Sequence, residues 1–360
     1  MRIAMLAPGL RPHDAVSNDC LQMVEVLRSN GHDVTLFAWH AERIEESVSD
    51  PGTLEAWVRS PRDVVIYHYC TGVDAAVGLM RRVRARRVVR YHNITPPGFF
   101  RGWSPGYVAA CEAGRAEIAK FARMQCDLYL GDSAYNNDDF IDAGVDPSRC
   151  AVVPPFHECE RLLAQEPEYG RIPKVAGAPL LLMVGRIAPN KGYLELVDAL
   201  AACRTAVAEE AHLLVFGKLD PNLASYGEAF HARIDEHGLR KNVTIIGDGG
   251  DAELRAGFAA ATALVMLSAH EGFCVPVVEA LALSTPVIAY ASSAIPGTLG
   301  DAGLLWESRD PALVAAAVGR VHADNDLRAF LRERGRHRYD SVFAPDVLQR
   351  GLLDALSRFA

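Results

Sequence analysis

The run Pro179-Leu180-Leu181-Leu182-Met183-Val184-Gly185-Arg186-Ile187-Ala188-Pro189-Asn190-Lys191-Gly192-Tyr193-Leu194-Glu195 passes from an unbroken apolar segment, through a turn with two glycines, into a helical pattern. The apolar segment reads as a buried strand ending at Val184, and the helix starts near Tyr193. The same succession recurs on both sides. Downstream, further strands are predicted at 212–216, 242–246, 263–267 and 286–289, separated by helical patterns. Upstream, residues 2–8 form an apolar run that ends at Pro8-Gly9. A helical pattern follows, with Cys20, Met23, Val24 and Leu27 on one face, and Gly31 stops it before a strand at 33–37. Strands at 64–68, 87–92, 127–131 and 150–154 complete the first half. Strands alternating with helices imply parallel sheets.

A chain of 360 residues is too long for one ordinary domain and suits two of roughly 170–180 residues. The fold class is therefore α/β with two Rossmann-like domains. The predicted division is an N-terminal domain over 1–165, a linker over 166–178, a C-terminal domain over 179–335, and a helical tail over 336–360 that can pack back on the N-terminal domain. The linker is placed where Glu166-Pro167-Glu168-Tyr169-Gly170 and Pro173 interrupt the periodicity.

Half of the residues are apolar and the net charge is −8, which argues against a general nucleic-acid binder. No stretch reaches about eighteen apolar residues, the length that a membrane-spanning helix needs. The N-terminus runs straight into a strand without the pattern of a secretory signal. The eight cysteines are scattered, with no C-x-x-C pair, and read as thiols in a reducing cytoplasm.

Chemistry concentrates in two segments. The turn after Val184 holds Gly185, Arg186, Lys191 and Gly192 at a helix start. Glycine lets a ligand approach the backbone, helix N-terminal amides favour anions, and Arg and Lys add a planar fork and a compact charge. That set suits a diphosphate; the alternative is a solvated basic turn. It is not a P-loop, because G-x-x-x-x-G-K-[ST] is absent. The second segment is Ser268-Ala269-His270-Glu271-Gly272-Phe273-Cys274-Val275-Pro276-Val277-Val278-Glu279. Pro276 is expected to open a helix, with Glu279 in its first turn and Glu271 in the preceding loop. Loops after the strand ends of an open parallel sheet line its ligand crevice. Both carboxylates can therefore accept hydrogen bonds from one sugar nucleotide. For Glu279 alone the alternative is a charge complementing the helix dipole.

Gly185-Arg186 with Lys191-Gly192, followed by Glu271-Gly272-Phe273 and Glu279, resembles the signature of the family 4 glycosyltransferases, retaining enzymes of the glycosyltransferase-B fold. The resemblance covers nearly the whole chain. It implies two Rossmann-like domains facing a central cleft. It also implies that Arg186 and Lys191 bind the donor diphosphate, that Glu271 contacts the donor sugar, and that Glu279 holds the ribose. Gly185, Gly272, Phe273, Cys274 and Val275 complete the implied donor site. Tyr67-His68-Tyr69, Tyr91-His92-Asn93-Ile94-Thr95-Pro96-Pro97 and Phe99-Phe100 are similar to a subgroup of bacterial transferases that build cell-surface polysaccharides, several of which use GDP-mannose. His92 sits where the family usually places a histidine near the donor sugar, so Glu271, His92, Arg186 and Lys191 are the candidate catalytic residues. Asp14, Ser17, Asn18, His68 and Asn93 are candidates for the acceptor side or the first loop. Asp14-Ala15-Val16-Ser17-Asn18-Asp19 stands in place of the family's glycine-rich first loop.

Other features carry blander readings. His157-Glu158-Cys159-Glu160 lacks a partner pair for a metal and reads as loop. Asn136-Asn137-Asp138-Asp139 reads as a helix start. Arg81, Arg82, Arg84, Arg86, Arg87 and Arg90 form a solvated helix end or a contact for anionic headgroups or an acceptor diphosphate. Phe99, Phe100, Trp103 and Tyr107 form a mobile acceptor lid or simple loop packing.

The expected protein moves a hexose, mannose or a deoxymannose by preference, from a nucleoside-diphosphate sugar to a saccharide or lipid-linked acceptor with retention. GDP-sugar is the expected donor, with no metal and no other cofactor, in the cytoplasm or at the inner face of the membrane. The rival readings are a sugar-nucleotide epimerase on the same fold and a catalytically inactive sugar-nucleotide-binding protein.

Overall fold

A computed structural model of the chain describes residues 1–12 and 14–359. The chain divides into two compact units. The first comprises Met1–Gly98, Tyr107–His157 and Ala344–Ala360, and the second Phe99–Gly106 and Glu158–Phe343.

The first unit holds β1 (Arg2–Leu10), β2 (Asp33–Ala41), β3 (Val48–Ser49), β4 (Val64–Tyr69), β5 (Arg86–Tyr91), β6 (Leu128–Gly131) and β7 (Cys150–Val152), in the order β3-β2-β1-β4-β5-β6-β7. The second holds β8 (Leu180–Val184), β9 (His212–Phe216), β10 (Val243–Ile246), β11 (Ala263–Met266), β12 (Val287–Tyr290) and β13 (Leu304–Trp306), in the order β10-β9-β8-β11-β12-β13. The strand pairs are parallel throughout. Central strands are buried along their whole length, as in Val64–Tyr69 and Leu180–Val184, because helices cover both sheet faces. β3 and β13 escape the sequence pattern, since two or three residues are too few to show one.

Both sheets reverse their order beside their first strand, between β1 and β4 and between β8 and β11. Connections diverge to opposite faces at such a point and leave a crevice beyond the carboxyl ends of the strands. Each unit thus has one place where loops can converge on a ligand.

Two predicted boundaries need correction. Residues 166–178 are not a free linker. The second unit begins at Glu158, and the Glu168 amide donates to the Ala252 carbonyl at 2.9 Å while Arg171 pairs with Glu253. Ile172 is buried there. The tail divides as well. Tyr339–Phe343, a π-helical turn with both aromatic ends buried, belongs to the second unit. Leu348, Leu352, Ala355 and Leu356 of the helix Pro345–Ser357 join the core of the first, with Ile3, Met23 and Leu27.

Candidate active site

In the second unit the decisive geometry is that of the loop after β8. Gly185 has φ +143° and its carbonyl accepts from the Tyr193 hydroxyl at 2.5 Å. A 3₁₀ turn over Pro189–Lys191 leads to Gly192 at φ +72°, where a Cβ would collide with the Leu267 carbonyl at the end of β11. Only glycine fits, so Lys191 is held against the second loop. Asn190 stitches the two loops: its amide donates to the His270 carbonyl at 3.1 Å and its carbonyl accepts from the Ala269 amide at 2.8 Å. Sequence reading passed over Asn190, although a polar residue between Pro189 and Lys191 in a ligand turn was the available signal.

Lys191 and Glu271 meet. The ammonium lies 2.7 Å from each carboxylate oxygen of Glu271, with both side chains largely buried. The Glu271 amide donates to Ser293 Oγ at 2.7 Å, which fixes the loop against the turn after β12. Arg186 extends into solvent and pairs with Asp220 at 3.1 Å, a partner that the sequence did not suggest. Both cations of this turn are thus engaged by carboxylates.

Glu279 departs from its predicted place. The helix runs Val275–Ala282 with Cys274 as its cap at φ +82°, so Pro276 is its second residue and the first turn holds no acid. Glu279 lies one turn further in. The left-handed Cys274 lets the helix start one residue before the proline. The Glu279 Oε2 is shut off from solvent with no hydrogen-bond partner among the described residues. Burial, then the charges of Asp251 and Glu158, push its carboxyl up to about 7. A buried carboxylate without donors resists ionising until a hydroxyl or a cation reaches it. Phe273, whose carbonyl accepts from Thr298 Oγ1 at 2.6 Å, completes the loop with Gly272 and Val275.

In the first unit a cavity of about 640 Å³ opens where β1 and β4 diverge, lined among others by Arg11, Asp14, Trp39, Cys70, His92 and Asn93. Four of the candidates around it, Asp14, Ser17, Asn18 and Asn93, make local hydrogen bonds. The Asp14 carboxylate caps the helix Ala15–Ser29 by accepting from the Ser17 amide at 2.9 Å and the Ser17 hydroxyl at 2.7 Å. The Asn18 amide donates to the Asp14 carbonyl at 2.9 Å in the same turn. Asn93, at φ +67°, donates to Asn136 Oδ1 at 3.1 Å, while its own Oδ1 is buried without a partner among the described residues.

Behind this cavity lies a charged cluster. His92 Nδ1 is 3.1 Å from Asp132 Oδ2, and its Nε2 is 2.9 Å from His68 Nδ1. Arg90, fully buried, donates to both oxygens of Asp19 at 2.9 and 3.1 Å and pairs with Asp132 at 2.9 Å. Burial, then the neighbouring His92, hold the His68 imidazole well below its usual range. Asp19, His68 and His92 are close enough to offer three ligands to a metal ion. Against that use, Arg90 Nε already binds the same Asp19 oxygen. Asp19, Arg90 and Asp132 were missed as site residues. Asp19 had a signal, an acid beside Cys20 on the buried face of an amphipathic helix.

The remaining features settle as structure. Arg90 is interior, Arg82 pairs with Glu55 at 2.8 Å, Arg86 reaches the Phe359 carbonyl, and Arg87 reaches the Met124 carbonyl at 3.3 Å, so the arginine run is not one solvated patch. Phe99–Gly106 is packed loop of the second unit: Trp103 meets Tyr226 edge-on at 5.1 Å and Ser225 Oγ donates to the Trp103 carbonyl at 3.1 Å. Glu158 caps a short helix, Cys159–Leu163, where sequence suggested loop, and Glu160 there accepts from the Tyr339 hydroxyl at 2.8 Å. None of the eight cysteines is joined in a disulfide. No helix among the described residues is long and apolar enough to cross a membrane.

Residues 166–338 match the family described as "Glycosyl transferases group 1". The chain is 30% identical over 236 residues to the MMP alpha-(1->4)-mannosyltransferase of Mycolicibacterium hassiacum, an alignment covering 64% of this chain and 54% of the relative. It thus spans about half the length of the curated relatives it matches. Among solved structures it is similar to sucrose-phosphate synthase from Thermosynechococcus elongatus, with a TM-score of 0.77 at 19% identity, covering 99% of this chain and 98% of that one. The HepE protein of Anabaena in complex with UDP and glucose gives 0.76 at 18% identity, covering 99% and 100%. These likenesses show the fold, which is the glycosyltransferase-B fold.

Proposed function

We propose that this chain, whose residues 166–338 are a group 1 glycosyl transferase domain, moves a hexose from a nucleoside-diphosphate sugar to a saccharide or lipid-linked acceptor in cell-surface polysaccharide synthesis. The observation that carries this reading is the convergence of Lys191 and Glu271 at the switch point between β8 and β11, with Arg186 on the same loop. The donor diphosphate takes Lys191 and Arg186, which stabilise the charge that develops on the leaving group. That role needs no metal. Glu271, released from Lys191, accepts from the sugar hydroxyls, and Glu279 accepts from the ribose. The acceptor occupies the cavity of the first unit, where Trp39 offers an aromatic face and Arg11 a positive charge.

Mannose or a deoxymannose is the sugar, carried on GDP and transferred with retention. The mannosyltransferase relative supports the sugar; the HepE complex, which holds UDP, leaves the base to experiment. The setting is the cytoplasm or the inner face of its membrane. A thermal-shift screen of GDP-, UDP-, ADP- and dTDP-sugars tests the donor, because a ligand that binds only the folded state raises its melting temperature. Stabilisation by UDP-sugars above GDP-sugars overturns the donor assignment. Failure of every nucleotide sugar to stabilise the fold overturns the function.

A further inference from the structure

The hydrogen bonds of the buried cluster in the first unit fix where its protons sit. The Asp132 carboxylate, paired with Arg90 at 2.9 Å, accepts across 3.1 Å at Oδ2 from His92 Nδ1. With the Nδ1 proton of His92 turned to Asp132, its Nε2 is the acceptor of the 2.9 Å contact and His68 Nδ1 the donor. His68 agrees from the other end. Its Nε2 is buried with no partner among the described residues, which a bare lone pair tolerates better than an N–H. The rings lie nearly parallel, 17° apart, with centroids 5.2 Å apart. Asp19 Oδ2 lies 3.7 Å from both His68 Nδ1 and His92 Nε2, and Arg90 holds that carboxylate in place. The chain Asp132–His92–His68 therefore runs in one direction, and both nitrogens of His92 are committed to the protein.

We propose that His68 is a positioning residue which, by donating to His92 Nε2, makes His92 a fixed wall of the ligand cavity in the first unit rather than its proton carrier. This rests on the transferase reading for its ligand, the acceptor, but not for its geometry. A histidine with a free Nε2 acts as an acid or base toward a bound hydroxyl. Here that nitrogen is satisfied from behind, and the ring contributes shape to the cavity it lines with Trp39 and Asn93. Asp132 sets its tautomer from the Nδ1 side.

The test has a spectroscopic arm and a kinetic arm. In ¹⁵N-histidine spectra of the full chain, the ring proton of His68 and of His92 is expected on Nδ1, and a through-hydrogen-bond ¹⁵N–¹⁵N coupling should join His68 Nδ1 to His92 Nε2. His68→Leu should abolish the coupling and shift the His92 Nε2 resonance to that of a nitrogen without a donor. His68→Asn keeps an amide donor at the Nδ1 position and should preserve the His92 tautomer. In transfer assays His68→Leu should raise the acceptor KM by about tenfold with kcat changed by less than about threefold, and His68→Asn should restore KM. An Nε2-protonated His92 in the wild-type protein overturns the proposal, as does a stoichiometric metal found in the purified protein by mass spectrometry. A kcat loss in His68→Leu that exceeds the KM change does the same. The spectroscopic arm needs no turnover. Absence of any transfer by the wild-type protein, with the coupling present, therefore counts against the transferase reading alone.

Discussion

The ammonium nitrogen of Lys191 stands 2.7 Å from both carboxylate oxygens of Glu271. The carboxylate occupies the place that an anionic ligand of Lys191 would take. A diphosphate binding there must displace it, and the freed carboxylate is then available to the sugar. Glu271→Gln removes this internal competitor. Free nucleoside diphosphate should bind the variant about three- to tenfold more tightly than the wild type, while transfer slows because the sugar loses its acceptor. Calorimetry with GDP and UDP, beside a transfer assay, checks both halves. Equal diphosphate affinity in the two proteins would remove the competition from the account.

The two cations of the same loop should behave differently when removed. Lys191→Ala strands a largely buried Glu271 carboxylate and should lower stability by about 3 kcal/mol. The double variant Lys191→Met with Glu271→Gln should recover most of that loss. Arg186 is exposed, and Asp220, though largely buried, keeps the Asn222 amide as a donor, so Arg186→Ala should change stability by less than about 1 kcal/mol. Both single variants should weaken nucleoside-diphosphate binding by about tenfold or more. Urea unfolding and titration calorimetry separate the two effects.

Glu279 makes stability depend on pH with a definite sign. Its carboxyl is raised from 4.5 to about 7 in the folded chain, so between those values the folded state holds a proton that the unfolded state has released. Stability from this group is present below about pH 4.5 and is lost as pH rises toward 7, at about 1.4 kcal/mol per unit at most. Glu279→Gln cannot ionise. Its melting temperature should match the wild type at pH 4 and below and exceed it at pH 8. A variant less stable than the wild type at pH 8 would mean that the carboxylate finds a compensating donor. If Glu279 accepts from the ribose, donor affinity should also rise with pH through about 7 in the wild type and not in the variant.

Gly192 is a backbone requirement. Its φ of +72° and the carbonyl of Leu267 against its missing Cβ leave no room for alanine. Gly192→Ala should cost about 2 kcal/mol or more and move Lys191 off Glu271. Thermal melts should therefore fall together with nucleotide affinity. A variant that melts normally and binds normally would show that the turn relaxes.

The sequence alone carried everything that repeats locally. Apolar runs between glycines gave the central strands of both sheets, because burial on two faces leaves an unbroken apolar signature. The amphipathic stripe of Cys20, Met23, Val24 and Leu27 gave the first helix, and the glycines beside Arg186 and Lys191 marked the turn after β8. Short edge strands such as Val48–Ser49 and the start of the helix Val275–Ala282 were not legible, since one left-handed Cys274 moves a boundary that periodicity cannot see.

What only the tertiary structure decided is which charges meet. Lys191 and Glu271 lie 80 positions apart, and Arg90 and Asp19 lie 71 apart. Sequence placed Lys191 on a phosphate turn and Arg90 in a basic run. The sheet order set β8 beside β11 and the helix after β1 over β5, and so paired one cation with a carboxylate of the neighbouring loop and buried the other. Such pairings follow from strand order and from the cost of leaving a buried charge alone, and neither leaves a trace in the spacing of residues along the chain.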